Sequence, residues 1–228
     1  MNVEIWSDIA CPWCYVGKRR FEAALARYEH ADEVTVTWRS FELDPSAPPE
    51  RAVDNATHLS EKYGMSVEQA RQANRQLEQT AAGDGLEMHL GTARGGNTFD
   101  GHRLVHLAQA HGLQDAMKER LLRAYFTEGE LMSDRLTLER LAAEVGLPAD
   151  EVRETLLTER FADEVRDDER VAAQLGVRGV PFFVVDRKIA ASGAQPPETL
   201  LELLRQARPE EPVVPVVTGG DACGPEGC

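Results

Sequence analysis

Two of the chain's four cysteines, Cys11 and Cys14, frame a Cys-Pro-Trp-Cys run where a strand pattern gives way to a helix pattern. Val3 to Ile9 is a short apolar stretch that reads as a strand. From Tyr15 to about Ala31, Val16, Phe21, Ala24, Leu25 and Tyr28 recur at helical spacing. A thiol at Cys11 would lie at a helix N-terminus, where unpaired backbone N–H groups and the positive dipole end favour a thiolate. Thiols so placed drop from ~8.5 to roughly 3.5–7.5. Cys14 follows one turn later, able to close a disulfide with Cys11 or to resolve a mixed one. Pro12 suits the first turn, where its missing N–H costs little. Zinc is the alternative use of such a pair, and it needs two further ligands, which Cys223 and Cys228 can supply. The strand-to-helix setting favours redox chemistry.

The rest of the chain predicts a β-α-β start, a long helical block and a β-β-α finish. Val34 to Leu43 alternates like a second strand. Helices are expected over Val53–Tyr63, Ser66–Ala81, Phe99–Ala110, Gln114–Thr127, Thr137–Val145, Ala149–Phe161 and Asp163–Leu175, with caps at Ser66, Asp100 and Thr137. The pattern then returns to β over Pro181–Asp186 and Ile189–Ser192, and a last helix spans Pro197–Ala207. Four prolines and four glycines mark residues 209–228 as a flexible tail that carries Cys223 and Cys228. The expected division is a discontinuous unit, 1–44 with 177–208, a helical insertion over 45–176, and that tail.

The chain has 228 residues, enough to bury a core without disulfide staples. Its 39 acidic and 25 basic side chains give a formal charge of −14, which repels nucleic acid and anionic lipid, so neither is expected as a partner. No apolar run approaches the ~18 residues of a membrane span. Met-Asn-Val-Glu-Ile-Trp has neither a basic nor an apolar leader region, so a cytoplasmic protein is expected. Four cysteines are too sparse for a disulfide framework.

Gly179-Val180-Pro181 precedes the Phe182–Val185 strand, and proline at a strand's first residue is sterically allowed. The order strand, CxxC, helix, strand, helical insertion, Val-Pro, hairpin, helix is similar to the α/β thioredoxin fold with the α-helical insertion of DsbA-type oxidoreductases. Ser7-Asp8 before Cys11-Pro12-Trp13-Cys14-Tyr15, with Asn97-Thr98-Phe99-Asp100-Gly101-His102-Arg103-Leu104, resembles the FrnE-like branch, itself related to 2-hydroxychromene-2-carboxylate isomerases and kappa-class glutathione transferases. The resemblance implies that Cys11 is the attacking thiolate, that Cys14 resolves, and that Val180–Pro181 is cis and presents its backbone to substrate. It places His102 in the part of the insertion that faces the active site. Pro12, Trp13, Val180, Pro181 and His102 are thus the expected substrate contacts.

Two departures from relatives matter. Trp13 stands where the periplasmic DsbA proteins carry histidine, which implies a couple less oxidising than ~−120 mV. Cys11 stands where the isomerases and transferases carry serine, which argues for dithiol exchange. Partners are protein or small-molecule disulfides and dithiols, with glutathione or a thioredoxin-type protein as reductant, and no cofactor is called for. The tail pair Cys223/Cys228 matches a C-terminal Cys-x4-Cys of some FrnE-like proteins and suggests a relay to Cys11. A glutathione-dependent isomerase or transferase and a zinc-stabilised chaperone module are the rival readings. Glu4 and Asp8 are candidate proton acceptors beside the dithiol. His102 and His106 are four apart without the glutamate of a zinc-protease motif and read as helix-packing residues. The charged insertion helices read as solvated faces.

Overall fold

The computed structural model describes residues 1–208, and its four-stranded sheet has the order β2-β1-β3-β4. β1 (Asn2–Ser7) runs parallel to β2 (Thr35–Ser40) and antiparallel to β3 (Phe182–Val185), which turns back into β4 (Ile189–Ser192). Such a parallel pair needs a crossover, and α1 (Pro12–Leu25) supplies it. Asp186 and Arg187 both take positive φ in the β3–β4 turn, matching the twist of the hairpin. α9 (Pro197–Ala207) closes the described chain and packs against α1. This is the sheet expected of a thioredoxin fold.

Seven helices among the described residues fill the path from β2 to β3. They are α2 (Asn55–Tyr63), α3 (Val67–Gly83), α4 (Phe99–Ala110), α5 (Gln114–Phe126), α6 (Arg135–Val145), α7 (Ala149–Leu157) and α8 (Ala162–Gln174). One core runs through sheet and insertion, joining Ile5, Val16 and Phe183 to Leu104, Leu121 and Leu141. The opposite sheet face is covered by α8, with Trp6 and Val184 against Ala172. That face also holds buried charge. Glu4 pairs with Arg39 and Arg187, while Asp168 of α8 accepts from Arg39 at 3.0 Å and from the Ser40 N–H at 2.8 Å.

Several expected boundaries move, each for a local reason. Ser66 caps α3 in a full capping box, as expected. α4 starts from Thr98, not Asp100, and the Thr98 hydroxyl is committed to Asp8. Asp134, not Thr137, caps α6, its carboxylate accepting the Thr137 N–H at 2.8 Å. α7 ends four residues before Phe161, because Thr158 is extended and the Arg103 guanidinium takes the Thr158 and Arg160 carbonyls.

Candidate functional site

Cys11 is the N-cap of α1, in extended conformation, with Pro12 as the first helical residue. Both cysteines are buried free thiols, and the Cys14 N–H closes the first turn on the Cys11 carbonyl at 2.9 Å. Opposite them the Val180–Pro181 peptide is cis, and Cys11 Sγ donates to the Val180 carbonyl at 3.5 Å. Gly17 makes this approach possible, since a Cβ there would stand 2.6 Å from Pro181 Cγ.

The expected acidification of Cys11 is reversed. The Cys14 side chain, which hydrogen-bonds to the Cys11 sulfur, pushes the Cys11 thiol well above the usual cysteine value. Burial and the Asp8 charge push the same way, and only the Cys14 backbone N–H opposes them. Ionising both sulfurs would set two anions in contact, and that repulsion is what raises Cys11. The helix N-terminus alone does not decide the outcome, because Cys11 is only 4% exposed.

Behind the pair lies a second layer of polar groups. Asp8 accepts from the Leu43 N–H at 2.8 Å, the Thr98 hydroxyl at 2.9 Å, and the Ala10 N–H and His102 Nε2–H at 3.3 Å each. Burial alone would raise its pKa, but His102, the Leu43 N–H and the Lys118 charge outweigh that and hold it below the ordinary aspartate value. His102 itself is buried, which pushes its pKa down. It sits beneath Asp8 instead of lining the open cavity. The cause is Gly101, which lets α4 press so close to Ile9 that a Cβ there would meet Ile9 Cδ1 at 2.6 Å. Glu4 lies across the sheet, occupied by its two arginines. His106 accompanies it on that side, against Ser40 and Asp168.

A cavity of about 440 Å³ opens in front of Cys11. Cys11, Pro12, Trp13, Val180, Tyr63 and Phe126 are among the residues that line it. Trp13, Leu43, Val53 and Tyr63 stand partly exposed at its edge. Arg51, paired with Asp44 at 2.5 Å, and Lys62 add positive charge. Pro12, Trp13 and Val180 thus share the cavity with Cys11, while Pro181 is buried against Gly17. Cys223 and Cys228 lie outside the described residues.

Sequence reasoning missed Lys118, which is buried on α5 with its Nζ donating to the Ser7 carbonyl at 3.0 Å. A signal existed. Lys118 falls on the same face as Gln114, Leu121, Leu122 and Tyr125, all buried. Glu42 was missed too. Burial, with Glu169 and Asp8 nearby, pushes its pKa up to about 7 despite the Arg166 guanidinium at 2.6 Å.

Comparison with known proteins agrees with this geometry. A solved structure of a probable DsbA oxidoreductase, SCO1869 of Streptomyces coelicolor, is 48% identical over 100% of this chain and 98% of its own, with a TM-score of 0.88. The cytosolic disulfide reductase DsbM of Pseudomonas aeruginosa, also solved with GSH, shares the fold at a TM-score of 0.62 and 20% identity, over 90% of this chain and 98% of its own. The uncharacterized protein YwbO of Bacillus subtilis (strain 168) is 26% identical over 85% of this chain and 91% of its own. The model of the DSBA-like thioredoxin domain matches residues 2–205, nearly the whole described chain, and the protein belongs to that family.

Proposed function

We propose that the protein is a thiol–disulfide oxidoreductase of the FrnE-like kind, in which Cys11 exchanges with substrate and Cys14 resolves. The observation that carries this is the setting of Cys11. Its sulfur borders the cavity and faces the Val180 carbonyl at 3.5 Å, with a second thiol in the next turn behind it. In the reducing direction, the Cys11 sulfur attacks a substrate disulfide, and one substrate thiolate leaves. Cys14 then attacks the Cys11 sulfur, which forms the Cys11–Cys14 disulfide and releases the second thiolate. The oxidising direction is the same sequence reversed, chosen by potential relative to the compartment.

The cavity volume suits a peptide segment or a tripeptide-sized thiol, and Trp13 and Val180 supply apolar and main-chain contacts. Glutathione is our choice of small-molecule reductant, in line with the GSH bound to DsbM, and we assign the protein to the cytoplasm as DsbM is. The tail pair Cys223/Cys228 would relay electrons to Cys11–Cys14; turnover unchanged after both become serine removes the relay.

The test of the core reading is trapping. Cys14→Ser should accumulate a stable mixed disulfide on Cys11 when the reduced protein meets oxidised glutathione, read as a glutathione-sized mass increase. Both variants carry Cys223→Ser and Cys228→Ser, which remove the other two thiols outside the pair, and in that background Cys11→Ser should give no such adduct, since Cys14 is fully buried. A Cys14→Ser protein that stays unmodified under excess disulfide overturns the proposal.

A further inference from the structure

Arg51 lies outside any helix or strand, yet its side chain is held in place. Its backbone N–H donates to the Gly95 carbonyl at 2.8 Å, and the side chain runs so close to Gly95 that a Cβ there would stand 3.0 Å from Arg51 Cδ. Nη2 pairs with Asp44 Oδ2, while Asp44 Oδ1 accepts from the Ser46 N–H at 3.1 Å and the Ser46 hydroxyl at 2.7 Å. The Arg51 side chain is 19% exposed and lines the cavity in front of Cys11. Its Nε and Nη1 have no acceptor among the described residues. A guanidinium carries its N–H donors in a rigid fork, so this one is fixed in direction with most of its donors unused.

Tyr125 of α5 lines the same cavity. It is 4% exposed, and its hydroxyl has no hydrogen-bond partner among the described residues. A buried phenol normally has one, and the cavity is the space from which one can come. Burial and the Asp8 charge push the Tyr125 pKa up to about 12 against the Arg51 charge, so the hydroxyl keeps its proton at neutral pH and remains a donor. His58, another lining residue, is pushed down by burial and then by the charges of Arg51 and Lys62. Lys62 sits over the Tyr63 ring at 5.7 Å and has no carboxylate partner among the described residues. The acids that line the cavity are already engaged: Asp44 by Arg51 and Ser46, Asp8 by its four donors. In a chain of formal charge −14, the space beside the reactive sulfur thus holds donors and positive charge that await an anion.

We propose that Arg51 and Tyr125 form a carboxylate subsite that makes the cavity selective for small thiols and disulfides bearing carboxylates, a specificity that rests on the dithiol-exchange reading above. Arg51 donates from its free N–H groups to the ligand carboxylate, and Tyr125 donates its hydroxyl. His58 and Lys62 add donors and positive charge around them. A cavity of about 440 Å³ is of small-molecule size. The planar fork orients a carboxylate as well as holding it, which a point charge does not. Cys11 borders the same space, so the anchored ligand presents its sulfur to the nucleophile. The exchange itself is unchanged: the Cys11 sulfur bonds to one ligand sulfur and the other leaves as thiolate. A neutral disulfide offers Arg51 and Tyr125 nothing and enters by its apolar contacts alone.

The experiment times adduct formation on Cys11 by mass spectrometry, in the full chain carrying Cys14→Ser, Cys223→Ser and Cys228→Ser. Two disulfides are compared: oxidised glutathione, which bears carboxylates, and 2-hydroxyethyl disulfide, which has none. Adding Arg51→Gln should lower the ratio of the glutathione rate to the hydroxyethyl rate by about 10- to 100-fold, and adding Tyr125→Phe should lower it by about tenfold. Arg51→Lys, which keeps the charge without the fork, should recover part of the ratio. A ratio unchanged in either Arg51→Gln or Tyr125→Phe overturns the inference, as does an equal fall in both rates, which would mean that the side chain only holds its loop. Binding of S-methylglutathione, which has the carboxylates but no reactive sulfur, is measured by calorimetry on the same proteins. It should weaken by the same factors, and a wild-type chain that does not bind it overturns the subsite. Arg51-dependent binding of S-methylglutathione without any Cys11 adduct from either disulfide instead overturns the dithiol-exchange reading and leaves the subsite standing.

Discussion

Replacing Gly17 by alanine isolates the contact that lets α1 approach the Val180–Pro181 loop. The new Cβ would stand 2.6 Å from Pro181 Cγ, 3.3 Å from Pro181 Cβ and 3.6 Å from Phe183 Cζ. Carbon atoms sit best at about 3.5–4.0 Å, so the loop or the helix must yield by roughly 1 Å. Pro181 cannot swing away as a long side chain would, because its ring is part of the backbone. Overpacking of this kind costs about 1–3 kcal/mol. Alanine gains back about 1 kcal/mol of helix propensity, which leaves a net loss of up to about 2 kcal/mol. Gly83 in α3 is the control, since a Cβ there meets nothing within 4 Å and should add stability. Urea unfolding should therefore separate Gly17→Ala from Gly83→Ala by about 1–3 kcal/mol. Glutathione adduct formation should slow in Gly17→Ala alone, as the Val180 carbonyl shifts from its 3.5 Å contact with Cys11. Equal stabilisation by both substitutions, with adduct rates unchanged, would refute the steric argument.

Glu42 should make stability depend on pH. Its pKa is raised from 4.5 to about 7 in the folded chain, so between those values the native state holds a proton that the unfolded state has lost. Stability then falls as pH rises through that window, and Glu42→Gln should flatten the slope in denaturation curves taken from pH 5 to 8; an unaltered slope counts against the assignment. Asp168→Ala should cost about 3 kcal/mol, since it strips Arg39 of one partner and leaves the buried Ser40 N–H bare. A loss below about 0.5 kcal/mol in urea unfolding would show that the Asp168 contacts are compensated. The trapped adduct of Cys14→Ser completes the set.

Much of the frame was legible because its signals are local. The apolar run before Cys11, the helical spacing after it and the strand beyond Val180-Pro181 each reflect a period or a turn written within ten residues or so. The capping box at Ser66 was readable for the same reason. The polar layer under the dithiol was not. Lys118 looks like one more charge on a charged helix until α1 and β1 close over its face. Asp8 and His102, 94 positions apart, look unrelated until Gly101 lets α4 press onto Ile9.

Sequence alone determined the order of elements, the placement of two sulfurs one turn apart at a helix start, and the residue pair Val180-Pro181. Those are properties of backbone periodicity and side-chain type, set by neighbours along the chain. Tertiary structure decided the ionisation of the site. It buried Cys11 against Cys14, raised the pKa of a thiol expected to be acidic, filled Asp8 with donors, and left Lys118 without a carboxylate among the described residues. Charge energies depend on solvent exclusion and on distances between segments far apart in sequence, and only the packed core fixes either.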